Sequence, residues 1–150
     1  MVKVVVGSLL DAKENFICHQ VNCKGIMGGG IALQLRNKYK GLYEEYKDFC
    51  DVVQHKLGKV SFYKVEDEPN KYIINLFAQS TIGRGVQTDY DALRGCLETV
   101  RDAVEGTDFS VALPYNIGCG LAGGDWDIVS RIIDEVFKET EVVLYRYDVK

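Results

Sequence analysis

The sequence predicts an α/β fold in which helices are layered on a mixed β-sheet. Strand-like apolar runs alternate with amphipathic helical segments along the chain. Two of the runs, "NFICHQV" and "FSVALP", are apolar almost throughout, as strands buried on both faces must be. A further pair, "GKVSFYKVE" and "KYIINLFA", is joined by the turn signal "DEPN", which predicts a hairpin and so one antiparallel pair in the sheet.

The elements follow in order. "VKVVV" is a first strand and "NFICHQV" a second. From Gly29 to Tyr39 the apolar residues Ile31, Leu35 and Tyr39 recur every four positions, a helical spacing, and "GLYEEYKDFC" is a second helix. After the hairpin, "DYDALRGCLETVRDAVE" opens on Asp89 as an N-cap and lines Leu93, Leu97, Val100 and Val104 along one face. "FSVALP" ends at Pro114, and "YNIGCGLAGG" is the loop that leads into a helix at "DWDIVSRIIDEVFKE". "EVVLYRY" is the last strand.

Composition narrows the class. At 150 residues the chain fits one domain, residues 1–150, long enough to bury a core without disulfide staples. Hydrophobic residues at 47% and charged ones at 27% are ordinary for a soluble globular protein. No apolar run reaches the length of a membrane span, and "MVKVVVGSLL" lacks the features of a signal peptide, so no membrane partner and a cytoplasmic (or, in a eukaryote, nuclear) monomer are expected. A net charge of −4 without a basic face argues against nucleic acid as a partner. The five cysteines form no CxxC pair and read as free thiols, mostly small core residues, rather than a zinc site.

Two glycine-rich loops carry the functional signal: Gly25 to Gly30 and Gly118 to Gly124. Each follows a buried strand and precedes a helix, so both belong at the carboxyl edge of the sheet, where open α/β sheets bind ligands. Glycines let backbone N–H groups approach a ligand, and a helix start adds free donors and a dipole that favours phosphate. One such loop is more often a tight turn; two facing one another suit a diphosphate. Neither has the GxGxxG spacing of a dinucleotide fold or the Gly-Lys-Ser/Thr ending of a P-loop. Asn22, after the second strand, is placed to fix a sugar hydroxyl or to bond its own backbone. His19 reads as a core histidine or an acid–base group, and Asp125 as a helix N-cap or a general base.

With these residues in view the chain resembles the macrodomains. "HQVNCKGIMGGGIALQL" is similar to their Asn-then-glycine loop and helix. "LPYNIGCGLAGGDWDIV" is similar to their second phosphate loop, in the subgroup of terminal ADP-ribose protein glycohydrolase and ADP-ribose-1''-phosphate phosphatase. "GSLL" and "NLFAQ…YDAL" fall in the expected order. The resemblance implies a three-layer α/β/α fold with a six-stranded mixed sheet, an ADP-ribose cleft, and no metal or cofactor. It places Asn22 on the distal ribose, Gly28, Gly29, Gly30 and Ile31 along that ribose and the diphosphate, and Tyr115, Asn116, Ile117, Gly118, Cys119, Gly120 and Leu121 around the phosphates. Ser8, beside Leu9, stands where the family has an adenine-binding Asp; Ala122 stands where the glycohydrolases have a catalytic Asp, and "NLFAQS" lacks their Lys. The function so implied is hydrolysis of an ADP-ribose derivative, foremost dephosphorylation of ADP-ribose-1''-phosphate, with Asp125 and His19 as catalytic residues. The alternatives are deacetylation of O-acetyl-ADP-ribose, removal of mono-ADP-ribose from a protein partner, and a non-catalytic ADP-ribose reader.

Overall fold

The computed structural model describes residues 1–147. Its sheet has six strands: β1 (Val2–Val6), β2 (Phe16–Asn22), β3 (Val60–Lys64), β4 (Tyr72–Gln79), β5 (Val111–Pro114) and β6 (Val142–Arg146). The strand order is β1-β6-β5-β2-β4-β3. All neighbours are parallel except β3 and β4, the pair expected from "DEPN". Four helices, α1 (Gly30–Lys38), α2 (Leu42–Val52), α3 (Tyr90–Val104) and α4 (Trp126–Val136), complete the fold. It is the expected α/β/α arrangement around a mixed sheet.

Each face of the sheet has its own core. Leu93, Leu97 and Val100 of α3 and Val129, Ile133 and Val136 of α4 pack with Cys18, Ile74 and Leu113. On the other face Leu35 of α1 and Leu42 and Tyr46 of α2 pack with Ile17, Val21 and Phe77. Alternate residues of β2 therefore serve opposite cores, which is why that strand reads as a continuous apolar run. Asp89 caps α3 by accepting from the Ala92 N–H, as its position before the apolar stripe predicts. The hairpin connection is wider than the quoted tetrapeptide: Val65 N–H donates to Lys71, and Asp67 and Asn70 both take positive φ. A short 3₁₀ turn at Leu9–Asp11, too brief for periodicity to reveal, follows β1.

The chain leaves β2 toward β3 and β4 on one side and returns through α3 to β5 on the other. The crevice between the carboxyl ends of β2 and β5 is thus a topological switch point, and both glycine-rich loops start there.

Candidate active site

The loop after β2 is organised by a buried tyrosine. Tyr46, fully buried on α2, has its hydroxyl 2.7 Å from the Asn22 carbonyl and 2.8 Å from Asn22 Oδ1, and accepts from the Ile26 N–H at 3.1 Å. Asn22 Oδ1 also accepts from the Lys24 N–H at 2.9 Å, while its Nδ2 donates to the Ile26 carbonyl at 2.8 Å. The strand register shifts between Val21 and Asn22, a local irregularity that re-aims the side chain at the sheet edge. Asn22 therefore bonds the backbone of its own loop, the second of its two sequence readings, and it also lines the cavity described next.

The second loop is tied to the sheet by a polar chain. Gln20 Nε2 donates to Gln79 Oε1 and to Thr88 Oγ1, each at 2.9 Å, and Thr88 Oγ1 donates to the Gly118 carbonyl at 2.6 Å. Gly118 has φ +75°, and a Cβ there would lie 2.8 Å from Gln20 Oε1, so both conformation and space call for glycine. The two loops approach each other: a Cβ on Gly29 would come within 3.0 Å of Leu121 Cδ1, although Leu121 itself is 79% exposed.

Between them lies a cavity of about 850 Å³. Of the residues nominated from sequence it is lined by His19, Asn22, Gly28, Gly29, Gly30, Ile31, Tyr115, Asn116, Ile117, Gly118, Gly120 and Leu121. Ser8, Leu9, Cys119 and Asp125 are not in that lining. Ser8 caps the 3₁₀ turn by accepting from the Leu10 N–H at 3.2 Å, and Leu9 is buried in the α1–α2 core. The Cys119 thiol lies 3.4 Å from the Ile117 carbonyl, and burial together with the Asp125 charge pushes it up to about 11, so it is no thiolate nucleophile at neutral pH. Asp125 is exposed and accepts from the Asp127 N–H at 2.9 Å as the N-cap of α4.

Sequence reasoning did not nominate Gln20, Gln79, Ile82, Gly83 or Ala122, which also line the cavity. The signal for Gln20 was available, as a polar side chain inside a buried strand demands a partner. No Asp, Glu, Lys or Arg is present among the described lining residues. Nor, among the described residues, do three or more His, Cys, Asp or Glu side chains gather where they could hold a metal ion.

His19 is almost wholly buried, and burial lowers its pKa to about 4, so the ring is neutral at pH 7. Its Nε2 is 2.6 Å from Asn75 Oδ1. Its Nδ1 has no hydrogen-bond partner among the described residues.

Fold and cavity define a class: three-layer α/β/α domains with the pocket at the switch point of the sheet, walled by two glycine-rich loops. The chain belongs to the Macro domain family, which residues 18–133 match. It is 30% identical to an uncharacterized 17.5 kDa protein of Enterobacteria phage T4, over 99% of this chain and 97% of that one. It is 31% identical to the DNA ADP-ribosyl glycohydrolase of Mycobacterium tuberculosis over 93% of this chain but only 40% of the relative, so it spans less than half of that protein. It is 28% identical to the ADP-ribose 1''-phosphate phosphatase of Candida albicans, with 90% and 93% covered. The macrodomain of Thermus aquaticus DarG superposes with a TM-score of 0.81 at 26% identity, covering 99% of each chain.

Proposed function

We propose that this protein hydrolyses ADP-ribose derivatives at the distal ribose, with ADP-ribose-1''-phosphate as its substrate. The carrying observation is the cavity between two glycine-rich loops, whose described lining holds no charged side chain. A diphosphate bound there would be met by backbone N–H groups and by the start of α1, donors that need no counter-charge. The names of the Mycobacterium and Candida relatives support a hydrolase and supply the distal-ribose chemistry.

In this reading Asn22 and Gly28 to Ile31 hold the distal ribose, and Tyr115 to Leu121 wrap the phosphates. Ser8 meets the adenine amino group with a hydroxyl, a weaker acceptor than a carboxylate, with Leu9 beneath it. Binding of the remote nucleotide then positions the reacting ester. Water attacks the 1''-phosphorus and the bond from phosphorus to O1'' breaks. Inorganic phosphate leaves, and O1'' takes a proton to give ADP-ribose. A loose phosphoryl transition state needs its water oriented more than deprotonated, which the neutral His19 ring can do as an acceptor. Asp125 accepts from the Asp127 N–H with Oδ1 and stands outside the cavity lining, so the reading gives it the cap of α4 and gives His19 the water.

Release of inorganic phosphate from ADP-ribose-1''-phosphate tests the reading, with His19→Ala expected to lose turnover while still binding ADP-ribose, less tightly. The uncharged lining, with Ala122 in it, also favours a second reading as a non-catalytic ADP-ribose reader. Saturable binding without turnover of the phosphate, of O-acetyl-ADP-ribose or of ADP-ribosylated side chains would decide for the reader.

A further inference from the structure

Beneath the cavity runs a chain of buried polar groups that the proposed chemistry has not used. Asn75 on β4 is fully buried, as Ser61 on β3 nearly is, and Glu45 on α2 is half-buried. Asn75 Nδ2 donates to Glu45 Oε2 at 3.2 Å and to Ser61 Oγ at 3.0 Å. Ser61 Oγ is also 3.2 Å from Glu45 Oε2. The carboxylate can only accept, so the Ser61 proton goes to Glu45 and Ser61 must accept from Asn75. Both neighbours therefore demand the NH₂ end of the Asn75 amide.

That leaves Asn75 Oδ1 turned toward His19 Nε2, 2.6 Å away, and an oxygen there can only accept. The proton of the neutral ring must then sit on Nε2. The remaining nitrogen, Nδ1, is a bare lone pair without a partner among the described residues, on a ring that lines the cavity. A buried acceptor left unmatched is unfavourable, a deficit that a ligand donor would remove.

We infer that Glu45 and Asn75 are positioning residues: through the Asn75 amide they hold His19 in its Nε2–H tautomer, so that Nδ1 accepts a hydrogen bond from a ligand hydroxyl or from the attacking water. The inference rests on the reading of the cavity as an ADP-ribose site and extends it to two residues outside the cavity. It also assigns direction to His19, which acts as an acceptor there and not as a proton donor.

The chain has only two histidines, His19 and His55, so ¹⁵N-histidine labelling of the full chain resolves both. In the wild type at pH 7, His19 should be neutral with its proton on Nε2, and ADP-ribose should move the Nδ1 resonance upfield as it gains a donor. Glu45→Gln gives Asn75 a neighbour that can also donate, and Asn75→Leu removes the acceptor altogether. Both should populate the Nδ1–H tautomer and lower kcat on ADP-ribose-1''-phosphate by roughly tenfold or more with KM little changed. Glu45 is half-buried, so its variant should fold even if the one in the core does not. A wild-type His19 protonated on Nδ1 or charged at pH 7 would overturn the inference. So would an Nδ1 resonance that ADP-ribose leaves in place, or variants with wild-type tautomer and kcat. A wild-type protein with the expected tautomer and ligand shift but no turnover supports the inference and refutes the hydrolase reading alone.

Discussion

Lowering the pH from 7 to 5 should destabilise the folded protein by about 2 kcal/mol through His19 alone. Burial brings its pKa from 6.5 to about 4, against a smaller opposing contribution from the Asn75 hydrogen bond. Below pH 6.5 the unfolded chain takes up a proton at this position that the folded protein refuses. Each pH unit in that window then removes about 1.4 kcal/mol, and the loss levels off as the pH passes the folded value near 4, at about 3 kcal/mol in all. Glu45 works in the opposite sense, because burial raises its carboxyl and the folded state protonates it first. Urea unfolding at pH 7 and pH 5 measures the effect when wild type is compared with His19→Gln, which cannot titrate but can still donate to Asn75. The wild type should lose about 2 kcal/mol more than the variant over that interval. Equal losses would mean that His19 titrates alike in both states and that burial does not lower its pKa.

Other substitutions probe the loops. Gly118→Ala should destabilise by about 1–2 kcal/mol for its left-handed φ, with more for the clash at Gln20, and should weaken ADP-ribose binding measured by calorimetry. Tyr46→Phe strips Asn22 and the Ile26 N–H of a buried partner; about 1–3 kcal/mol of stability should be lost in chemical denaturation, together with ADP-ribose affinity. Asp125→Ala should lower stability by about 1 kcal/mol as a lost N-cap while phosphate release persists, and Asp125→Asn should restore the cap; abolished turnover in both would return the carboxylate to the chemistry. Leu121→Ala should leave the melting temperature of the free protein almost unchanged and reduce the rise that ADP-ribose produces.

The order and type of every strand and α-helix were legible because hydrophobic period, caps and turn residues agreed along this chain. "NFICHQV" announced a central strand, and Asp89 and Asp125 announced helix starts that the structure places one residue later. The paired glycine loops were legible for the same reason, since each sits between a strand and a helix. What sequence could not show was pairing across distance. Gln20 meets Thr88 across 68 positions and His19 meets Asn75 across 56, so neither bond leaves a local pattern. The two roles open to Asp125 share one position in the sequence, and the bond from the Asp127 N–H that makes it a cap is seen only in the structure.

The uncharged lining has a consequence for how this pocket can be dissected. If its ligand is gripped by peptide N–H groups, those contacts survive every side-chain substitution, and an alanine scan of the lining would pass over them. The information for the grip lies in the path of the backbone, held by residues such as Tyr46 and Thr88 that need not touch the ligand. Replacing single peptide links in the two loops by esters, which deletes one N–H and keeps every side chain, is the perturbation that would expose them.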